Sequence, residues 1–412
     1  IMSKKIKLAG MVAMLSMTFV SCSNDELKEA YQGEKITFTT KVGASRAQVI
    51  NGVADLESFR VHAETDPKGE TPFLDHELAT EVSGDNSTGI YKLEKEIMWP
   101  DKATEIEFWA YGPEGVGQPT HDGGALHFSN FSPDKDPSKQ KDLVVAYTKS
   151  KKTSGAVPLM FHHALSQVEV RAKCGDKNKH VKIKSAWIAN LNSKGNLWYD
   201  SNASANNYMS WRFDSNPSKQ LYGESFSDAI QLSDTYQGLL AEYGDENKTK
   251  KRGNSLMMLP QDIVALDGSV NNNGVYIVML CRIESHHSGA YVDHNAEDAF
   301  VQDADDSSYH HHQLYPQPEN GGYDEDAYGY TCVPITAPEG AWKPGKKYIY
   351  KLDFFCNGSG GGILPPTEPE LPEGGQETPG IVPGHPVVQE PISFTVEVEG
   401  WTEADDVEQP SM

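Results

Sequence analysis

The chain has 412 residues, a formal net charge of −23 at pH 7 and a hydrophobic content of 38%. At roughly 150 residues per domain, this length allows two or three domains. The negative charge argues against nucleic acid and against an anionic membrane surface as partners. Aromatic and β-branched segments recur between turn-forming residues, among them 36 glycines and 24 prolines. This pattern predicts an all-β protein built from sandwiches.

The N-terminus has the pattern of an export signal. A lysine-rich start precedes an apolar run at 8–20 that is too short for a comfortable transmembrane helix. Cys22 follows a serine where the cleavage site would lie, and this arrangement resembles a lipobox. Residues 1–21 would then be a signal peptide and Cys22 the lipidated first residue. An ordinary secretory peptide with an incidental cysteine is the alternative.

The first predicted strand begins shortly after this signal. Ile36, Phe38, Thr40 and Val42 alternate with polar residues and therefore share one face of an extended chain. A short hinge that contains Arg46 follows. The alternation predicts a half-buried strand over 35–42 with its apolar face towards a core.

The same alternation returns near the C-terminus. Ile392, Phe394, Val396 and Val398 lie on one face of a predicted strand at 392–399. The two strands share an Ile-x-Phe order, and each ends in Val. A groove that holds the first strand could therefore accept the last one.

The chain between these strands predicts two successive β domains. The runs that predict further strands are apolar, β-branched or aromatic: 56–63, 106–111, 142–147, 165–171, 181–191, 256–261, 275–280 and 348–354. A polar break at 174–179 predicts a boundary between domains at 47–175 and 176–412. Residues 357–391 are rich in Gly, Pro and Glu and predict a linker or loop that tethers the last strand.

The cysteines give little indication of chemistry. Cys174, Cys281, Cys332 and Cys356 have long spacings and form no C-x-x-C pair, and their three possible pairings cannot be distinguished. Cys281 lies within an apolar run, which favours a buried free thiol.

No motif predicts catalysis. H-E-x-x-H, G-x-S-x-G and the nucleotide-binding glycine motifs are all missing from the sequence. An acidic, His- and Tyr-rich insertion at 285–330 contains possible metal ligands: Asp293, His294, Asp303, Asp305, Asp306, His310, His311 and His312. We interpret this insertion as a solvated loop, and we predict neither a metal nor a cofactor.

Two other functions remain open at this point. Aromatic side chains such as Trp198 and Trp211 could stack on sugars, so a surface lipoprotein that binds glycans is the alternative function. A metal-dependent enzyme at the histidine-rich insertion is a third hypothesis.

The order of several segments resembles the fimbrillin family of the FimA/Mfa type. The segments that carry the resemblance are the lipobox-like 19–22, the strand and arginine at 36–47, and the runs 108–111, 161–170, 259–261, 342–348 and 396–401. The resemblance implies two transthyretin-like (Greek-key) β-sandwich domains in tandem. It also implies export as an outer-membrane lipoprotein and assembly into a fimbrium that supports adhesion, without enzymatic activity.

The resemblance further implies proteolytic maturation. A processing protease would cut after Arg46, so that Ala47 becomes the new N-terminus and residues 22–46 are removed as a lipidated propeptide. Removing the first strand would expose a sheet edge and an apolar groove. The expected partners are like pilin subunits, the protease, the lipid anchor in the outer membrane and surface glycans or proteins, but no nucleic acid. The expected donor strand is 392–399.

Overall fold

The computed structural model describes part of the chain, and all structural statements below concern that part. The described residues are 35–42, 56–82, 90–122, 124–152, 155–200, 209–240, 255–267, 274–288, 300–303, 305–306, 308–317, 322–376 and 379–400. The predicted signal peptide, Cys22, Arg46 and Ala47 lie outside these ranges. Of Val42 only the backbone is described.

The described residues form strands almost throughout, which confirms the predicted all-β class. The strands are β1 (Thr37–Val42), β2 (Ser58–Asp66), β3 (Leu74–Glu81), β4 (Ile90–Leu93), β5 (Glu105–Gly112), β6 (Thr120–Asp122), β7 (Ala125–Phe131), β8 (Val144–Ser150), β9 (Val157–His163), β10 (Ser166–Cys174), β11 (Lys179–Asn192), β12 (Gly195–Asp200), β13 (Met209–Arg212), β14 (Lys219–Gln231), β15 (Gln237–Gly238), β16 (Leu256–Met258), β17 (Tyr276–Ser288), β18 (Phe300–Gln302), β19 (Tyr309–Tyr315), β20 (Gly329–Pro334), β21 (Lys346–Phe354) and β22 (Ser393–Gly400). Single 3-10 turns occur at Pro137–Lys139 and Pro338–Gly340. In the described ranges, no helix has the length and apolar character needed to span a membrane.

The chain divides into two compact units, each made of non-consecutive segments. The first unit contains the described residues up to Lys41 together with Glu57–Ala110 and Ala146–Met160. The second contains those of Val42–Leu56, Tyr111–Val145 and Phe161–Met412. The tandem boundary at 175/176 stays a prediction.

The core of the first unit is aromatic. One sheet, with the strand order β1-β4-β3-β2-β5-β8-β9, closes on itself. Alternate residues of its strands point inwards because successive side chains on a strand face opposite sides. Phe38, Phe59, Tyr91 and Phe108 are fully buried. The Phe59 and Tyr91 ring centroids lie 4.9 Å apart.

The second unit contains three sheets. Their orders are β15-β10-β21-β22 with β16 beside β10, β14-β11-β17-β19-β18 with β20 beside β17, and β13-β12-β7-β6. The first two sheets share one apolar core that includes Val168, Ile183, Met279 and Tyr350. Two sheets whose inner faces enclose a common core have the packing expected of a β-sandwich.

Some strands lie where the sequence shows no strand pattern. β14 belongs to a polar stretch, and most of its side chains are exposed or half-buried. It lies at the end of its sheet, where few side chains meet a core. An edge strand therefore lacks the apolar alternation that a sequence pattern needs.

The segment predicted as a flexible linker, 357–391, is packed against the second unit. Ile363 and Val387 are buried, and the Val387 amide donates to the Gly362 carbonyl at 3.0 Å. A Cβ on Gly360 would lie 1.9 Å from the Glu390 carbonyl oxygen. Glycine here permits close packing of backbone on backbone, and the segment is not a free tether along its described length.

Candidate functional site

The first candidate site is the groove that β1 occupies in the first unit. Ile36 is 3% exposed, Phe38 is fully buried and Thr40 is 6% exposed. The predicted inward face is therefore confirmed for these three residues, whereas the Val42 side chain is not described. β1 pairs antiparallel with β4, and Phe38 lies opposite Tyr91.

Aromatic rings hold Phe38 in this groove. The Phe38 ring meets Phe59 at 5.9 Å and Phe108 at 5.7 Å, both edge-to-face. The Ile36 amide donates to the Ile97 carbonyl at 2.9 Å. Edge-to-face pairs add about 0.5–1.5 kcal/mol each to the burial energy. Phe38 is therefore the main anchor of β1.

The entrance to the groove carries an exposed ion pair. Lys35 Nζ lies 2.8 Å from Glu96 Oε1, and this hydrogen bond lowers the pKa of Glu96. Because both groups reach solvent, the pair contributes little to stability. The apolar face of β1 is what holds the strand in place.

Sequence reasoning missed one wall of the groove. Tyr91 lies on β4, a strand that the sequence pattern did not predict. Tyr91 and Leu93 are buried while Ile90 and Lys92 are exposed. That short alternation is the signal that could have identified β4.

The second candidate element is β22, in the second unit. It pairs antiparallel with β21 along its full length and lies at the end of its sheet. Ile392 is 6% exposed, and Phe394 and Val396 are only partly buried against the core. Val398 is 43% exposed. The predicted alternation is present, but this strand is less buried than β1.

The aromatic residues that could stack on sugars make contacts within the protein. The His127 ring stacks on Trp198 at 4.0 Å, and the Arg212 guanidinium lies 4.4 Å from the same ring. Trp211 Nε1 donates to the Ala164 carbonyl at 2.8 Å. The Trp198 ring therefore already has two stacking neighbours.

The cysteines of the described ranges are free. Cys174, Cys281 and Cys332 are buried, whereas Cys356 is partly exposed. Burial raises the pKa of Cys174 to about 11. The buried free thiol expected at Cys281 is confirmed, and a thiol with a raised pKa is a poor nucleophile near pH 7.

The histidine-rich insertion is partly strand where a loop was predicted. His310, His311 and His312 lie within β19, which pairs with β17. His311 Nε2 donates to Asp303 Oδ2 at 2.8 Å, and this bond holds the pKa of Asp303 well below its usual range. Asp293 and His294 lie outside the described residues.

The family of the chain follows from sequence comparison. The model of the fimbrillin-like family matches residues 45–358. Since this match covers well over half of the chain, the chain belongs to the fimbrillin-like family. Membership indicates a fimbrial or adhesion role at the cell surface and assembly with like subunits. No curated protein sequence matches the chain.

Several solved structures are distantly similar. A candidate cell adhesion protein of Parabacteroides distasonis is 12% identical with a TM-score of 0.45, and the alignment covers 91% of this chain and 99% of that one. Another, from Bacteroides uniformis, is 12% identical with a TM-score of 0.42 and coverage of 89% and 98%. A candidate polysaccharide-binding protein of Bacteroides thetaiotaomicron is 10% identical with a TM-score of 0.29 and coverage of 60% and 75%. The family assignment does not depend on these similarities.

Proposed function

We propose that this chain is the precursor of a structural fimbrium subunit, not an enzyme, and that it polymerises by strand exchange. Cys22 carries the lipid that anchors the precursor in the outer membrane. A protease cuts after Arg46 and releases β1 together with the segment before it. The segment 392–399 of a second subunit then fills the vacated groove.

The difference in burial between β1 and β22 carries this proposal. Both strands have alternating apolar residues, with Ile and Phe in the same order. Phe38 is fully buried in its groove, whereas Phe394 is only partly buried in its own sheet. Moving Phe394 into the Phe38 position would remove more apolar surface from water, and this burial favours transfer.

The position of each strand in its sheet supports the same proposal. β22 lies at the end of a sheet, so its departure breaks hydrogen bonds with β21 only. Residue 45, where the family match begins, comes just before Arg46 and leaves β1 outside the match. A contact between a donor strand and a different acceptor groove is heterologous, and such contacts propagate into filaments.

The energy that β1 contributes is large on the scale of a domain. Burial of Ile36 and Phe38 is worth roughly 1.5–3 kcal/mol each, and the edge-to-face contacts of Phe38 add to this. A domain has a net stability of only about 5–15 kcal/mol. A unit that loses β1 therefore needs a replacement strand to stay folded, and this need drives assembly.

The experiment combines cleavage with assembly. An arginine-specific protease is preferable to trypsin because Lys35 and Lys41 lie shortly before the predicted cut. We expect a first cut that leaves Ala47 as the N-terminus, followed by a ladder of heat-labile polymers on denaturing gels without boiling. The Arg46→Ala variant should remain uncut at this position and monomeric under the same treatment.

A second variant pair tests the donor strand. Phe394→Ala should prevent or strongly slow polymer formation after cleavage, whereas Thr395→Ala, on the opposite face of β22, should polymerise like the parent. If the cut chain with Ala47 at its terminus stays monomeric, strand exchange is refuted. If Phe394→Ala polymerises normally, another segment is the donor.

A further inference from the structure

Five side chains of the second unit converge on one face of a sheet formed by β11, β17, β18 and β19. His286 on β17 lies directly opposite His311 on β19, and His180 lies opposite Glu284. Asp303 comes immediately after β18, which pairs with β19. It lies on the same face of this sheet as His311. Residues two apart on a strand point to the same side, which is why these groups meet.

The ligating atoms of three of these residues are close to one another. His311 Nε2 lies 2.8 Å from Asp303 Oδ2, and His286 Nε2 lies 3.9 Å from the same oxygen. Each of the three residues offers one possible ligand atom, and these atoms lie within 4.8 Å of one another. Two ligands of a tetrahedral zinc ion are about 3.3 Å apart when its bonds are near 2.0 Å. The cluster therefore matches this geometry to within small side-chain movements.

Two nitrogen atoms of this cluster lack partners. In the ranges described, neither His286 Nε2 nor His311 Nδ1 has a hydrogen-bond partner, although both atoms are buried. A neutral imidazole with a free nitrogen is the form that binds a metal ion.

We propose that His286, His311 and Asp303 form a binding site for Zn²⁺ or a chemically similar divalent transition-metal ion. Two imidazoles and one carboxylate suit ions of this class, whereas Ca²⁺ prefers six or more oxygen ligands. Three protein ligands leave a fourth position for water or for a group from another molecule. A bound ion would tie together β17, β18 and β19.

The surroundings of the cluster fit a cation. Glu284 Oε2 lies 3.8 Å from His311 Nδ1. A small side-chain movement would bring it to the hydrogen bond by which outer carboxylates commonly orient metal-binding histidines. Arg282 and the Tyr323 hydroxyl already donate to Glu284 Oε1, each at 2.6 Å, and Lys182 Nζ lies 3.9 Å from Oε2. We therefore assign Glu284 the role of an outer carboxylate. A cleft of about 630 Å³ lined by several carboxylates opens beside His311 and Asp303 and offers a path of entry.

The opposite face of the same strands supplies a matched control. His287 Nε2 lies 2.9 Å from His312 Nε2, and the two rings stack at 4.9 Å. Among the described residues, this pair belongs to no group of three clustered His, Cys, Asp or Glu ligands. Replacing His287 therefore tests whether zinc binding depends on the face that carries His286 or on any histidine of this sheet.

The test is titration of the untagged full chain with ZnCl₂ in an isothermal calorimeter. We expect one ion per chain. His286→Ala and Asp303→Asn should each weaken binding by about tenfold or more, whereas His287→Ala should bind like the parent. Circular dichroism checks that each variant folds. If His286→Ala fails to fold, the isosteric variant Asp303→Asn still tests the proposal. Absence of binding by the parent chain overturns the proposal, as does equal weakening in His287→Ala.

Discussion

Phe38→Ala is the sharpest test of how β1 is held. The Phe38 side chain is fully buried and meets two aromatic rings edge-on, at 5.7 and 5.9 Å. Truncation of a buried Phe to Ala costs about 3–5 kcal/mol, because transfer energy is lost and a cavity remains. We expect a loss of this size in the free energy of unfolding of the first unit, with little change in the second.

Hydrogen exchange measured by mass spectrometry can separate the two units. Peptides from β2 to β5 report on the first unit, and peptides from β17 and β21 report on the second. The slowest amides of the first unit should exchange faster by the factor that corresponds to about 3–5 kcal/mol, roughly two to four powers of ten.

Thr39→Ala is the matched control for this prediction. Thr39 lies on the same strand but on its other face, so its truncation should cost no more than about 1 kcal/mol. If Phe38→Ala and Thr39→Ala exchange alike, β1 is not anchored by its buried face. The energetic argument for strand exchange would then lose its basis.

Two further predictions concern charged groups of the second unit. Arg282→Met should destabilise this unit by about 3–5 kcal/mol, because Arg282 is fully buried and is the cation closest to the buried Glu284 carboxylate. Urea unfolding at pH 7 measures this loss. Burial would raise the pKa of Glu169, but hydrogen bonds from Arg171 and Lys347 outweigh it and the pKa is lowered. The Glu169 carboxylate therefore stabilises the fold above about pH 4.5 and loses this effect as the pH falls. Glu169→Gln should reduce the loss of urea stability between about pH 7 and pH 3.

Each of these predictions has a control on the surface. Arg212→Met removes an exposed arginine and should change the free energy of unfolding by less than about 1 kcal/mol. A similar loss in both arginine variants would mean that burial of Arg282 is not what matters. Glu370→Gln, at an exposed carboxylate, should keep the acid sensitivity of the parent. If it behaves like Glu169→Gln, the ion pairs at Glu169 do not account for that sensitivity.

The sequence predicted the strands that face a core better than those that do not. β1 and β17 carry alternating or continuous apolar residues, and both were expected. β14 and β19 carry polar, histidine-rich or exposed side chains, so their pairing leaves no apolar signal. The packed course of 357–391 was also missed, because glycine and proline indicate turns equally well whether a segment is free or buried.

The amino-acid sequence by itself determined which side chains of β1 and β22 share a face, because alternation is a local property of an extended chain. The similar Ile-x-Phe order of Ile36–Phe38 and Ile392–Phe394 was visible for the same reason. Only the tertiary structure decided that β1 is deeply buried while β22 lies at a sheet edge. It also decided that His286, Asp303 and His311 converge. Strand order and register set those distances, and both depend on pairing between segments far apart in the chain.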